Sequence, residues 1–107
     1  MVCQLRVYAV KPGAMDQFLS EWTESVVPLR RAYGFAVLGA WCSRGDDTFV
    51  WMLGHDGPGS FEEASAAYYD SEQRRKLPVD PARLIDSVQT TMLTPVPVPA
   101  GPDRQLY

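Results

Sequence analysis

The chain opens on a strict alternation. From Gln4 to Val10, apolar Leu5, Val7 and Ala9 alternate with Gln4, Arg6 and Tyr8, and Pro12-Gly13 then ends the run. Successive side chains of a strand point to opposite faces, so the pattern predicts a first strand with one apolar face and one face carrying a guanidinium and a phenol. The apolar face is expected beneath helices, and the Arg6 and Tyr8 face on the uncovered side of the sheet, as a pocket wall. After Pro12-Gly13 the interval changes: Met15, Phe18, Leu19, Trp22, Val26 and Leu29 recur at helical spacing, opposite Asp16, Glu21 and Glu24. This predicts a helix to about Leu29, with Pro28 bending or ending it.

Tyr33-Gly34 provides the stop, and Phe35 to Ser43 reads as a second strand with Val37, Gly39 and Trp41 on one face. The turn Arg44-Gly45-Asp46-Asp47 leads into a third strand, Thr48 to His55. Phe49, Trp51, Leu53 and His55 share one of its faces, and Val50, Met52 and Gly54 the other. Ser60 and Glu63 have the form of a capping box that starts a second helix, whose apolar stripe is Phe61, Ala64, Ala67 and Tyr68. A break near Asp70-Ser71 precedes a charged turn or short helix, Glu72 to Lys76. Asp80-Pro81 starts another brief turn through Leu84, and a last strand covers about Asp86 to Leu93.

The order β-α-β-β-α-β defines an α+β, ferredoxin-like plan: a four-stranded antiparallel sheet with both helices on one face. The other face is left bare, and the parities above put Trp41, Trp51 and Tyr8 on it. An aromatic face of that kind calls for a partner, most simply a second copy of the chain. Residues 1–98 form the expected domain and 99–107 a proline-rich tail with an extended, polyproline-like character.

Length and composition narrow the classes. A chain of 107 residues with 46% hydrophobic content is one small domain, of a size at which association often adds buried area. Net charge is −3 and the basic residues are scattered, which speaks against nucleic acid. No apolar run approaches the roughly 20 residues of a membrane span and no signal-peptide pattern is present, so a cytoplasmic protein is expected. Cys3 and Cys42, on different predicted strands and without metal-ligand spacing, read as free thiols.

Few residues carry chemical signals. Tyr33-Gly34-Phe35-Ala36-Val37 is similar to the core of the RNA-recognition motif but falls on the second strand rather than the third. Asp46-Asp47 and Glu62-Glu63 belong to a turn and a helix start. Gly54, Gly57 and Gly59 match no nucleotide-binding fingerprint, and His55 beside Asp56 falls short of a metal site. His55 is the only histidine and so the one side chain that titrates near neutrality when unperturbed. The first and third strands are neighbours in this plan, so Arg6, Tyr8, Trp51 and His55 can line one cavity. That cavity would bind and polarise an enolate, carboxylate or phenolate. A haem held through His55 is the one cofactor left open.

Leu5-Arg6-Val7-Tyr8-Ala9-Val10-Lys11-Pro12-Gly13, Pro28-Leu29-Arg30, Gly39-Ala40-Trp41 and Leu93-Thr94-Pro95-Val96-Pro97 stand in the order and spacing of NIPSNAP domains. Over residues 3 to 99 the chain resembles that family, which belongs to the dimeric α+β barrel superfamily. Its third strand departs from the usual His, Trp and Tyr at alternate positions, with Trp51, Leu53 and His55 instead. The resemblance implies a homodimer with a pocket in each protomer and, from the wider superfamily, cofactor-free monooxygenases, isomerases, cyclases and dehydratases.

The expected function is a cofactor-independent enzyme acting on an aromatic or polyketide-like molecule, with no metal, nucleic-acid or membrane partner. His55, Arg6 and Tyr8 are the expected catalytic residues, and Trp41, Trp51, Gln4, Phe49 and Tyr68 the expected substrate-binding ones. The alternative is a non-catalytic binding or interaction module whose dimer is the scaffold.

Overall fold

In a computed structural model describing residues 1–103, four strands form one antiparallel sheet in the order β2-β3-β1-β4. They are β1 (Val2–Val10), β2 (Phe35–Ser43), β3 (Thr48–His55) and β4 (Ile85–Leu93). The helices are α1 (Met15–Glu21), α2 (Val27–Ala32), α3 (Phe61–Asp70) and α4 (Glu72–Arg75), with a 3₁₀ turn at Pro81–Leu84. This is the ferredoxin-like α+β fold expected from the alternation of elements. Residues 94–103 follow β4 without regular structure. The remainder of the expected tail, 104–107, lies outside the described residues.

The helices cover the face of β1 that carries Arg6, Tyr8 and Val10, all three buried. This reverses the expected orientation: Leu5, Val7 and Ala9 lie on the open face, with Val50 and Met52 of β3 beside them in register. Alternation fixes which residues share a face, but the ring area on each face decides which one is covered. Arg6 pairs with Trp51 and Tyr8 with Phe49, and Tyr8 and Phe49 pack edge-on against Phe18 of α1 at 5.8 and 5.0 Å. Burying each large side chain contributes about 1.5–3 kcal/mol, more than Ala9 and two half-buried aliphatics supply. Tyr8 and Trp51 do share a face, but it is the helix-covered one.

Trp41 does not join them. The pairing of β2 with β3 shifts between Val37, opposite Leu53, and Gly39, opposite Met52. The extra residue, Leu38, forms a β-bulge, and a one-residue slip moves every later side chain to the other face. Ala40 therefore stands opposite Trp51, and Trp41 emerges on the open face, 59% exposed. Its indole lies across Gly39, where an added Cβ would come within 2.6 Å of the ring.

The first helix does not stop at Pro28. A π-helical turn, Trp22–Val26, joins α1 to α2, and the Val27 N–H donates to the Trp22 carbonyl five residues back. Pro28 has no N–H, and its ring would strike the carbonyl of the preceding turn in an unbroken α-helix; the wider turn relieves that clash. The helix then runs to Ala32 and leaves through Gly34 at φ +88°.

Shorter devices follow the sequence closely. Ser60 accepts the Glu63 N–H at 3.0 Å, Ser71 the Arg74 N–H at 3.1 Å, and Asp80 the Ala82 N–H at 3.0 Å. Arg83 grips Glu21 through two bonds of 2.7 Å, tying the 3₁₀ turn to the end of α1. Cys3 and Cys42 are free thiols. Among the described residues no helix is long and apolar enough to cross a membrane, and no group of three His, Cys, Asp or Glu side chains could hold a metal ion.

Candidate functional site

Between sheet and helices lies a cavity of about 100 Å³. β1 contributes Arg6 and Tyr8 to it, β3 Trp51, the π-helical turn Trp22 and Val26, α2 Arg30, and α3 Tyr68 and Tyr69. Arg74 of α4 and Val88 of β4 complete its rim. The Trp22 and Trp51 indoles meet at right angles, 5.4 Å apart, and form its deepest wall.

Its polar centre is a guanidinium–phenol cluster. Arg6 donates through Nε to the Tyr8 hydroxyl at 2.8 Å, through Nη1 to Gln4 Oε1 at 2.9 Å, and through Nη2 to the Tyr69 hydroxyl at 3.1 Å. Arg30 donates to the same Tyr69 hydroxyl at 3.1 Å and to the Ser65 hydroxyl at 3.4 Å. Only 1% exposed, Arg30 lies over the Tyr68 ring with its Cζ 4.0 Å from the centroid, a contact worth most when water is excluded. Arg74 pairs with Asp80 at 3.0 Å.

Burial opposes the charge on both guanidiniums, with different outcomes. For Arg6 the facing Tyr8 and Tyr69 oxygens outweigh burial, and the guanidinium holds its proton more firmly than usual. For Arg30 burial prevails and lowers its proton affinity, though an arginine remains charged at neutral pH. Burial also pushes the Tyr68 phenol up. Among the described residues neither Arg6 nor Arg30 has a carboxylate partner.

Of the expected site residues, Arg6, Tyr8, Trp51 and Tyr68 line this cavity, and Gln4 holds Arg6 from its edge. Phe49 lies beneath Phe18 and Trp22 and faces a separate hollow of about 270 Å³ that Trp41 also borders. His55 is not brought to the cluster. It stands opposite Val2, four residues beyond Trp51 and so roughly 13 Å along the strand. Its ring sits 5.4 Å from Phe35 and 6.3 Å from Phe61. The hollow beside it, about 260 Å³, is rimmed by Asp56 and Glu62, and an added Cβ on Gly57 would lie 3.3 Å from Nε2. Carboxylates at the rim and a loop against the ring nitrogen do not fit a haem face.

Arg30, Tyr69, Trp22 and Arg74 were not anticipated as site residues. A signal for Arg30 was present: Trp22, Val26 and Arg30 recur four apart, which places them on one helical face. A helix taken only to about Leu29 leaves Arg30 just outside it, whereas the structure continues it to Ala32.

A ferredoxin-like α+β domain whose helix layer encloses an arginine–tyrosine cavity with indole walls is thus the class that fold and site define. The family model NIPSNAP matches residues 3–99, and the chain belongs to the NIPSNAP family. No curated protein matches it. Among solved structures, the chain is similar to a NIPSNAP domain protein from Burkholderia xenovorans, with 16% identity and a TM-score of 0.76 over 96% of this chain and 100% of that one. It is similar to a NIPSNAP family protein from Agrobacterium tumefaciens, at 17% identity and a TM-score of 0.76 over 89% and 85%. A crystal structure described as an antibiotic biosynthesis monooxygenase aligns at 18% identity and a TM-score of 0.64 over 91% and 100%. At these identities the likeness is one of fold.

Proposed function

We propose that this protein is a cytoplasmic, cofactor-independent enzyme acting on an aromatic or polyketide-like small molecule in the arginine–tyrosine cavity. The reaction is of the isomerase, cyclase, dehydratase or monooxygenase type found in secondary metabolism, and the working form is a homodimer packed through the open sheet face. The observation that carries this reading is the convergence of Arg6, Arg30 and Tyr69 on one point inside indole walls. Fixed donors in a water-poor site stabilise negative charge developing on an oxygen, and all four reaction types develop such charge on a carbonyl or phenolic oxygen. The Tyr69 oxygen accepts from both guanidiniums, so its own proton is free to be given to that oxygen. The fold shared with the antibiotic biosynthesis monooxygenase lends further support.

With His55 at the far end of β3, Arg6 and Tyr69 take the central roles, Tyr8 positions Arg6, and Trp22 and Trp51 hold the ring. The test is hydrogen–deuterium exchange at the carbon next to the carbonyl of acetophenone, a one-ring ketone, followed by NMR in D₂O: deuteroxide from the solvent takes the carbon-bound proton while Arg6 and Tyr69 hold the enolate oxygen. At least tenfold acceleration over buffer, lost in Arg6→Gln, is expected. A second reading, the non-catalytic module, draws on the exposed Trp41 indole; a dimer that does not accelerate the exchange would favour it over the first.

A further inference from the structure

Resting on the small-molecule reading above, we infer that the cavity takes a monocyclic aromatic carboxylate, its oxygens held by Arg6 and Arg30 and its ring against the wall that the two indoles form. Three independent features lead there. The first is a surplus of donors. The buried side-chain nitrogens without a hydrogen-bond partner among the described residues are Trp22 Nε1, Arg30 Nε, Trp51 Nε1 and Arg74 Nε, and all four side chains line this one cavity. Every orphan is an N–H. Unmet buried donors cost about 1–3 kcal/mol each, and N–H dipoles packed behind the wall with no acceptor make the cavity's surroundings favour an occupant that presents acceptors.

The second feature is charge. Three guanidiniums border the cavity and, among the described residues, one carboxylate, Asp80, answers them, on Arg74. Among the described residues, Arg6 and Arg30 hydrogen-bond only to neutral oxygens, from Gln4, Tyr8, Ser65 and Tyr69. This is a concentrated positive site in a chain whose net charge is −3. An arginine cannot escape burial by shedding its proton, and a buried charge calls for a counter-charge. An anion that binds here supplies it.

The third feature is size and wall chemistry. A cavity of about 150 Å³ holds benzene; this one, about 100 Å³, is smaller, so it takes no more than one ring, and takes that only as the exposed lining residues Tyr69 and Val88 give way. A bare oxyanion would answer the charge but leave Trp22 and Trp51 facing its hydration shell. A carboxylate carried on one ring satisfies both.

Trp22 and Trp51 are two of the chain's three tryptophans, so intrinsic fluorescence reports occupancy. The full-length protein is titrated at pH 7 and low salt with benzoate, with benzamide as its uncharged isostere, and with inorganic phosphate. Saturable quenching by benzoate is expected, with a Kd at least tenfold below those of benzamide and phosphate, and Arg6→Gln, its fold checked by circular dichroism, is expected to bind benzoate no better than benzamide. Equal affinity for benzoate and benzamide would overturn the anion assignment and leave the small-molecule reading standing. Equal affinity for phosphate would make this an oxyanion site without a ring. No saturable quenching by any of the three would remove both the inference and the cavity reading. The comparison in the unmodified protein decides the matter even where Arg6→Gln does not fold.

Discussion

Arg6 on the first strand and Arg30 on the second helix donate to the same acceptor, the Tyr69 hydroxyl, each at 3.1 Å. A single phenol thus bridges two like charges and pins the sheet, α2 and α3 to one point. Like-charged guanidiniums held this close need a shared acceptor, and the phenol oxygen supplies it.

Tyr69→Phe removes that acceptor while keeping the ring. Tyr69 is partly exposed, so water takes up part of the loss, and the expected destabilisation is about 1 kcal/mol, at the low end for unmet charged donors. Thermal unfolding would show it as a drop of about 4–8 °C, and the proton exchange proposed for aromatic ketones should fall with it. A variant of unchanged melting temperature and full exchange activity would take Tyr69 out of the site.

The covered face of the sheet is tested by Leu53→Ala. Leu53 is completely buried, so the substitution should cost about 2–5 kcal/mol in urea unfolding. A loss below about 1 kcal/mol would contradict the helix-covered orientation of the β3 face that Leu53 shares with Trp51.

Trp41→Lys probes the proposed dimer. On the open face this charge should leave the circular dichroism of the protomer unchanged and convert a dimer to a monomer in sedimentation velocity, because an uncompensated lysine in a packed apolar interface is costly. A dimer of undiminished stability would place any self-association elsewhere.

Asp80 gives a pH dependence with a defined sign. Burial opposes its charge, but the Ala82 N–H and the Arg74 guanidinium prevail and hold the carboxyl below the usual range. Its folded value is therefore depressed. The stability it contributes is present above the unfolded value of about 3.9 and is lost as pH falls through the folded one. Asp80→Asn keeps a capping side chain and loses the ion pair. The unfolding midpoints of wild type and variant should differ at pH 7, by well under about 1 kcal/mol for so exposed a pair, and converge below pH 3. A gap that persists at low pH would assign the effect to the cap instead.

The sequence spelled out the elements well, because periodicity and turn chemistry are local. The strand of Leu5, Val7 and Ala9, the hairpin at Arg44-Gly45-Asp46-Asp47 and the Ser60 cap all occur where those residues indicate. Sidedness was not legible: an alternation looks the same from above and below, and the aromatic packing that decides it comes from Phe18 and Trp22, far along the chain. The Leu38 bulge lay hidden because Phe35 to Trp41 is apolar at nearly every position, so nothing marks the extra residue. Strand adjacency puts Arg6, Tyr8 and Trp51 together, and they do line one cavity, but it lies beneath the helices and not on the open face where the sequence reading expects it. The same adjacency argument includes His55, but adjacency does not fix position along a strand, and His55 stands opposite Val2, four residues beyond Trp51. Arg30 escaped notice because proline usually ends a helix, whereas here a π-helical turn carries the chain past it.

The missing counter-charge around Arg6 and Arg30 has a thermodynamic consequence. Whatever neutralises these side chains binds the folded chain and not the unfolded one, so by mass action it raises stability by about 2.7 kcal/mol at a hundred times its Kd. In a domain of this size that amounts to on the order of 10 °C or more in Tm. If the proposed anion binds there, heat resistance becomes a property the protein borrows from its surroundings, and cell fractions can be ranked for such a ligand by how far each delays melting.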